Sequence, residues 1–160
     1  MRRTIALLSV LIGASTARAE HAKIELDASA KGSQESAFVD QTPPDWGKNP
    51  RPVVRAKKGE PIHVKYMLTN VYPHKTLENV VVHFYVARQG KVAQKELPSL
   101  ADGKDVVVET AFEMDFKPGA KAGARTTFKV DAPGAYLIRV ETKQTQSDHE
   151  HFAAIDLVVE

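Results

Sequence analysis

The segment PIHVKYMLTN, residues 61–70, alternates between apolar side chains at its even positions and mostly polar side chains at its odd positions. The apolar set consists of Ile62, Val64, Tyr66 and Leu68. Because successive side chains of a β-strand point to opposite faces, a period of two predicts a strand with one face in the core and the other in solvent. No comparable stripe with a period of 3.6 residues, as a helix would need, is present in the chain.

Working outward from this segment, the same strand pattern recurs along most of the sequence. The further predicted strands cover residues 21–30, 79–91, 92–97, 105–114, 124–130, 135–142 and 151–160. Glycine and proline mark several of the turns between them, as at Gly90 and at Pro133-Gly134. Strands of similar length at short, turn-marked spacing predict an all-β fold, an immunoglobulin-like antiparallel β-sandwich of about seven strands.

Residues 31–52 break the pattern, because this segment is rich in glycine, serine and proline. Proline cannot donate a backbone hydrogen bond to a sheet, so we interpret the segment as a long arm outside the sandwich. Its Trp46 is the only tryptophan of the chain and has two interpretations. It either contacts a partner protein or packs against the sandwich and holds the arm in place.

The first nineteen residues, MRRTIALLSVLIGASTARA, have a basic start, a short apolar run and a small-residue ending at Ala17 and Ala19. This layout predicts a secretory signal peptide over residues 1–19, with an apolar run too short for a permanent membrane anchor. We therefore expect a periplasmic or secreted protein with no transmembrane anchor after cleavage. The predicted mature chain is one globular domain, made of the N-terminal strand and arm in residues 20–58 and the sandwich in residues 59–160.

Charge and composition exclude several classes of function. Removing residues 1–19 takes away three of the 22 basic residues and none of the 20 acidic ones, so the formal net charge falls from +2 to −1. No basic field remains to favour nucleic acid as a partner. The absence of cysteine excludes disulfides, thiolate metal sites and cysteine nucleophiles.

Four segments together resemble a known bacterial module. They are GEPIHVKYMLTN, ENVVVHFYVARQGK, PSLADGKDVVVE and PGAYLIRVE, and they lie within residues 59–160. In strand, turn and glycine pattern they resemble the bacterial cell-adhesion-related (CARDB-like) immunoglobulin-like domain. The resemblance implies a seven-stranded sandwich used for binding or spacing, with no catalytic residues to transfer.

Two histidines, His149 and His151, lie one residue apart at the start of the last predicted strand, in SDHEHFAAIDLVVE. On a strand they share a face with Ala153 and Ile155, so we expect both rings to point inward at one end of the sandwich. In an immunoglobulin-like sandwich the loop that carries His74 reaches the same end.

Three imidazoles from converging loops suit copper or zinc, with Asp148 or Glu150 orienting a ring. The alternative is that the three histidines are polar residues of the loop ends, hydrogen-bonded to backbone or solvated. His63 and His83 are expected on the outward faces of opposite sheets and are left out of this cluster.

Hydrolase motifs are absent from the sequence. It has neither a G-x-S-x-G elbow nor an H-E-x-x-H helix, and the adjacent Ser147, Asp148 and His149 point in different directions on an extended chain. The prediction is a non-catalytic, exported binding module that needs no cofactor and has a protein partner in the cell envelope. A periplasmic copper- or zinc-binding protein using His74, His149 and His151 is the alternative.

Overall fold

The computed structural model describes residues 22–38, 51–144 and 150–160, with only the backbone of Glu150. Nine β-strands lie in these ranges: β1 (Ala22–Ala30), β2 (Ser33–Phe38), β3 (Val53–Ala56), β4 (Ile62–Asn70), β5 (Leu77–Gln89), β6 (Val106–Phe116), β7 (Lys121–Phe128), β8 (Gly134–Gln144) and β9 (Glu150–Val159). In this part of the chain we find no helix suited to crossing a bilayer. The predicted signal peptide lies outside the described residues.

The strands form two sheets. One has four strands in the order β2-β1-β4-β7, and the other has five in the order β3-β9-β8-β5-β6. All neighbours are antiparallel except β3 and β9, which run parallel. The predicted all-β sandwich is confirmed, and the described ranges hold nine strands where the sequence pattern suggested about seven.

The main core lies between the two sheets and is built from the apolar phase of each strand. Its fully buried members include Ile24, Leu26, Ile62, Leu68, Val82, Phe84, Ile138, Val140, Ile155 and Leu157. Within this core the rings of Tyr66 and Phe84 stack with centroids 5.3 Å apart. Burying each such side chain contributes about 1.5–3 kcal/mol, so the alternating pattern is also the main source of stability.

A second, smaller core covers the outer face of the five-stranded sheet. Tyr85, Ala87, Leu137 and Ala154 are buried there, and Leu100 and Phe152 pack against them. Leu100 belongs to the connection between β5 and β6, residues 90–105, which folds back over the sheet. The outward phase of β5, β8 and β9 is therefore buried as well, which strict alternation did not predict.

The predicted strand over residues 92–97 is wrong, because this segment is part of the β5–β6 connection. Its backbone groups bond to side chains instead of a neighbouring strand. The amide of Ala93 donates to Asp156 Oδ2 at 2.7 Å, and the carbonyl of Gln94 accepts from Arg51 at 3.0 Å. Ala93 also has a positive φ of 55°, which no regular strand accommodates.

The predicted arm over residues 31–52 is partly wrong, since its first part forms β2 and extends the four-stranded sheet. A two-residue turn at Lys31 and Gly32 joins β1 to β2, and Gly32, at its second position, has a positive φ of 80°, which glycine adopts without strain. The remainder of the arm, residues 39–50 with Trp46, lies outside the described residues.

A hydrogen bond near the start of β8 supports the immunoglobulin-like character of the sandwich. The Tyr136 hydroxyl donates to the carbonyl of Ala132, four residues upstream, at 2.8 Å. Immunoglobulin-like domains carry such a tyrosine corner at the start of their penultimate strand, which is the position of β8 here.

Candidate functional site

The two lateral sides of the sandwich differ. On one side the edge strands β2 and β3 lie against each other, and the amide of Arg55 donates to Ser33 Oγ at 3.0 Å across the gap between the sheets. The strand orders place β6 and β7 at the opposite edges of their sheets. We call the first side the closed side and the second, formed by β6 and β7, the open side.

Both strands of the open side have a free edge within the described part of the chain. β6 pairs only with β5, and β7 pairs only with β4. A strand edge presents a row of backbone donors and acceptors to which another extended chain can bind.

Some side chains that point into the sandwich are exposed on the open side. The inward row of β6 consists of Val108, Thr110, Phe112 and Met114, which lie opposite the buried Val86, Phe84, Val82 and Val80 of β5. Val108 and Met114 are half-buried and pack against the core. Phe112 is 37% exposed and Thr110 is also exposed. On β7 the inward-pointing Ala124 is exposed although its partner Tyr66 is buried. The middle of this side is therefore only partly covered.

The Tyr66–Phe84 stack forms the floor of the open side. Burial raises the pKa of the Tyr66 phenol, and a side-chain hydrogen bond with Thr110 opposes that rise. Tyr66 pairs with Ala124 and Phe84 pairs with Thr110. Since the Tyr66 and Phe84 rings stack across the two sheets, Ala124 and Thr110 lie at about the same level, that is, the same height along the strands.

The two free strands carry opposite charge on their outward faces. β6 has Glu109, Glu113 and Asp115, whereas β7 has Lys121 and Arg125. Each outward row contains no charge of the other sign. Each free strand therefore offers charge of one sign beside its unpaired backbone groups.

Glu109 also belongs to a polar row that crosses the five-stranded sheet. His83 contacts Glu109 through Nε2 at 2.9 Å and Glu141 through Nδ1 at 3.2 Å. Arg139 donates to Glu141 at 2.5 Å and lies 4.0 Å above the Phe152 ring. Because the two nitrogens of His83 face different carboxylates, the row cross-links β6, β5 and β8 and does not converge on a single point.

The end of the sandwich that carries the predicted metal site is organised by Asn70, a buried residue at the end of β4. Its amide nitrogen donates to the carbonyls of Lys75 at 2.9 Å and Phe116 at 2.8 Å, and its oxygen accepts from the amide of Tyr72 at 2.8 Å. The β4–β5 and β6–β7 connections are thereby held together. The β8–β9 connection ends at the same level, since Lys143 pairs with Glu150.

This topology brings His74 and the start of β9 to the same end, as expected, but the full site is not described. His74 is exposed, and His151 is half-buried with a buried Nε2 atom. His149 and Asp148 lie outside the described residues, and the side chain of Glu150 is not described. Among the side chains that the structure does describe, none form a group of three or more histidines or carboxylates fit to hold a metal ion. The three-histidine site stays a prediction.

The two histidines left out of the cluster lie on outward faces of different sheets, as expected. His63, on β4, contacts Thr127 Oγ1 at 2.9 Å through Nδ1. His83, on β5, is only 21% exposed because of the carboxylate contacts described above. His63 is therefore exposed on its outward face, whereas His83 is mostly covered on its own.

A wide groove of about 770 Å³ lies at the other end of the sandwich. Four cationic side chains line it, Lys31, Arg55, Lys57 and Lys58, together with Glu60 and Glu160. Glu60 binds the amides of Lys31 at 2.7 Å and Lys57 at 2.8 Å, while Arg55 pairs with Glu160 at 3.0 Å. The two carboxylates thus already neutralise part of the groove's charge.

Comparisons with known proteins assign no family. No protein-family model matches the sequence, and a search of curated proteins finds no match. Among solved structures, the chain is similar to the PmoD soluble domain from Methylocystis sp. ATCC 49242 (Rockwell), with 9% identity, a TM-score of 0.49, and coverage of 86% of this chain and 90% of that one. The C-terminal domain of Wzt has 13% identity, a TM-score of 0.46 and coverage of 88% and 74%. The catalytic domain of the LPMO Lmo2467 from Listeria monocytogenes has 20% identity, a TM-score of 0.40 and coverage of 67% and 59%.

None of these similarities assigns a family or a function to this chain, because every TM-score is below 0.5. The resemblance to the CARDB-like domain stays a prediction.

Sequence reasoning missed the open side. Alternation correctly places Phe112 and Met114 on the inward phase, but it predicts that such residues are buried. The charge pattern of the sequence could have indicated this side. The charged residues on the outward phase of residues 109–115 are all acidic, and those on the outward phase of residues 121–125 are all basic.

Proposed function

We propose that this protein is a non-catalytic binding module, exported to the periplasm or beyond, that engages a protein partner along its open side. The observation that carries the proposal is the exposure of Phe112, an apolar residue on the inward phase of β6, between two free strand edges. Addition of an extended segment to an exposed sheet edge is a common mode of protein recognition. It satisfies backbone hydrogen bonds and covers apolar surface at the same time.

The chemistry of the open side supports binding in preference to catalysis. Its inward row consists of apolar side chains and threonine hydroxyls, and its outward charges are spread along two strands. Such a surface offers shape, hydrogen bonds and charge to an extended chain. It brings no nucleophile together with a base, as acyl-transfer chemistry would require.

Site-specific photo-cross-linking tests the proposal. The full chain is expressed with Phe112→p-benzoylphenylalanine and irradiated in cells that export it. We expect covalent protein adducts at this position, because the Phe112 side chain lies at the centre of the proposed contact. The matched control is Leu97→p-benzoylphenylalanine, since Leu97 is also apolar and exposed but lies in the β5–β6 connection. An adduct yield at position 112 no higher than at position 97 contradicts the proposal.

A second candidate function is copper or zinc binding at the loop end. It is supported by the convergence of the β4–β5 and β8–β9 connections, which carry His74 and His149, and by the inward phase of His151. The test is titration of the purified mature protein with Cu²⁺ or Zn²⁺, followed by calorimetry. Saturable binding that is lost in the His149→Ala/His151→Ala double variant is expected, and absence of saturable binding contradicts this candidate.

A further inference from the structure

We propose that the partner on the open side is a second copy of this chain, bound about a two-fold axis parallel to the strands. The inference rests on the proposed function and specifies its partner. In this dimer β7 of each copy pairs with β6 of the other, so that one isologous contact covers both open sides.

Strand direction permits this arrangement. β6 and β7 are joined by a short connection, residues 117–120, and run in opposite directions within one chain. A two-fold axis parallel to the strands preserves each strand's direction while exchanging the two sheets. β7 therefore meets the partner's β6 in antiparallel orientation, and each sheet continues across the contact as an ordinary antiparallel sheet.

The same axis sets the register. Rotation about this axis does not move any residue along the strand direction. Ala124 and Thr110 have about the same height along the strands, because they pair with the stacked Tyr66 and Phe84. Ala124 of one copy thus lies opposite Thr110 of the other. Counting outward along antiparallel strands places Arg125 opposite Glu109 and Lys121 opposite Glu113.

Both charged pairs in this register are complementary, and both lie on the outward face. Pairing β6 with a second β6 about its centre would instead bring Glu109 opposite Glu113, and like charges directly opposite each other destabilise a strand pair. The charge pattern therefore selects the contact between β7 and β6 over a contact between two copies of β6.

The inward row also fits. The register places Phe112 opposite Ala122 and Ala111 opposite Gly123, so the large ring meets a small side chain. A Cβ atom at position 123 would come within 2.1 Å of the Tyr66 carbonyl oxygen, so only glycine fits the close approach of β7 to β4. Small residues along the middle of β7 leave the space into which the partner's Phe112 packs.

A charge swap tests the dimer and its register together. Sedimentation equilibrium of the mature chain is expected to show a reversible dimer. Lys121→Glu and Glu113→Lys, taken singly, each place two like-charge pairs in the contact and weaken the dimer by about tenfold. The double variant Lys121→Glu/Glu113→Lys restores opposite charges and with them the dimer.

The controls separate loss of the dimer from loss of the fold. The side chains of Lys121 and Glu113 are both exposed, so the monomer fold tolerates the changes. Lys143→Glu, which reverses an exposed charge on β8, leaves the dimer unchanged.

The possible failures are distinguishable. A chain that stays monomeric, yet gives a Phe112 adduct with a different protein, overturns the self-association and leaves the proposed function standing. A monomer with no adduct overturns both. A dimer that is insensitive to the single reversals, or is not restored by the double variant, uses another surface and also overturns the inference.

Discussion

Asn70 satisfies more backbone groups than any side chain described at the loop end, and it is only 1% exposed. Its carboxamide bridges the connection after β4 to the end of β6, so one residue holds two connections in place. The sequence pattern marks position 70 as the end of a strand. It contains no sign that Asn70 reaches Phe116, because that contact depends on how the sheets stack.

We expect Asn70→Ala to lower the free energy of unfolding by about 2–3 kcal/mol, since it leaves the carbonyls of Lys75 and Phe116 without their donor. Asn70→Asp keeps the acceptor for Tyr72 but loses both donors, so it should be at least as destabilising. Urea unfolding, followed by far-ultraviolet circular dichroism, measures the free energy of unfolding of both variants. Thr69→Ala on the same strand is the control, and a loss for Asn70→Ala no larger than that of the control contradicts this role.

At the scale of elements, β3 and β9 and the β5–β6 connection are tied together by a buried polar network. Arg51 donates to Asp156 at 2.8 Å, and Gln89 donates to the same carboxylate at 2.8 Å and to the carbonyl of Tyr136 at 3.0 Å. Asp156 is fully buried and also accepts from the amide of Ala93. Since the burial of a charge is costly unless it is paired, this network fixes the course of the connection over the sheet.

Removal of one charge from this network should be more damaging than removal of both. We expect Asp156→Ala to lower the free energy of unfolding by about 3–5 kcal/mol, because it leaves Arg51 buried without its counter-charge. The double variant Arg51→Met/Asp156→Leu should be markedly more stable than the Asp156→Ala variant. Chemical unfolding of these variants gives the comparison, and a double variant no more stable than Asp156→Ala contradicts the account.

The turns that line the groove at the end of the sandwich predict that stability depends on pH. The backbone amides of Lys57 and Lys31 bind Glu60 and lower its pKa below the ordinary value of 4.5. A carboxyl whose pKa is lowered by folding stabilises the fold above its unfolded pKa, and this contribution is lost as pH falls through the folded value. Thermal unfolding should therefore show the stabilities of wild type and Glu60→Gln converging as the pH falls below 4.5 and through the lowered pKa of Glu60. A difference between them that is independent of pH contradicts this reading.

The strands show how far sequence alone goes. Side-chain alternation correctly located β1, β4, β5, β8 and β9, because each of these strands buries one face in the core between the sheets. It failed at residues 92–97, where backbone bonds to Asp156 and Arg51 replace a sheet partner. It also could not show that the outward faces of β5 and β8 are buried, because the covering Leu100 lies in a loop with no periodic pattern.

At the scale of the whole molecule, the asymmetry between the closed and open sides is the feature that bears on function. Whether Phe112 is buried depends on the position of β6 in the sheet order, and that order is not encoded in the spacing of residues 105–116. The metal site predicted from His74, His149 and His151 depends likewise on loop positions. The convergence of their loops at one end follows from the topology, while the ligand geometry remains a prediction.

The central claim is that the open side is a contact between chains, with two continuous sheets formed across it. Hydrogen–deuterium exchange of residues 20–160, compared at low and high protein concentration, tests this most directly. We predict that amides of β6 and β7 exchange more slowly in the concentrated sample, while those of β2 and β3 on the closed side do not change. Unchanged exchange in β6 and β7, or slowing confined to β2 and β3, would contradict the claim.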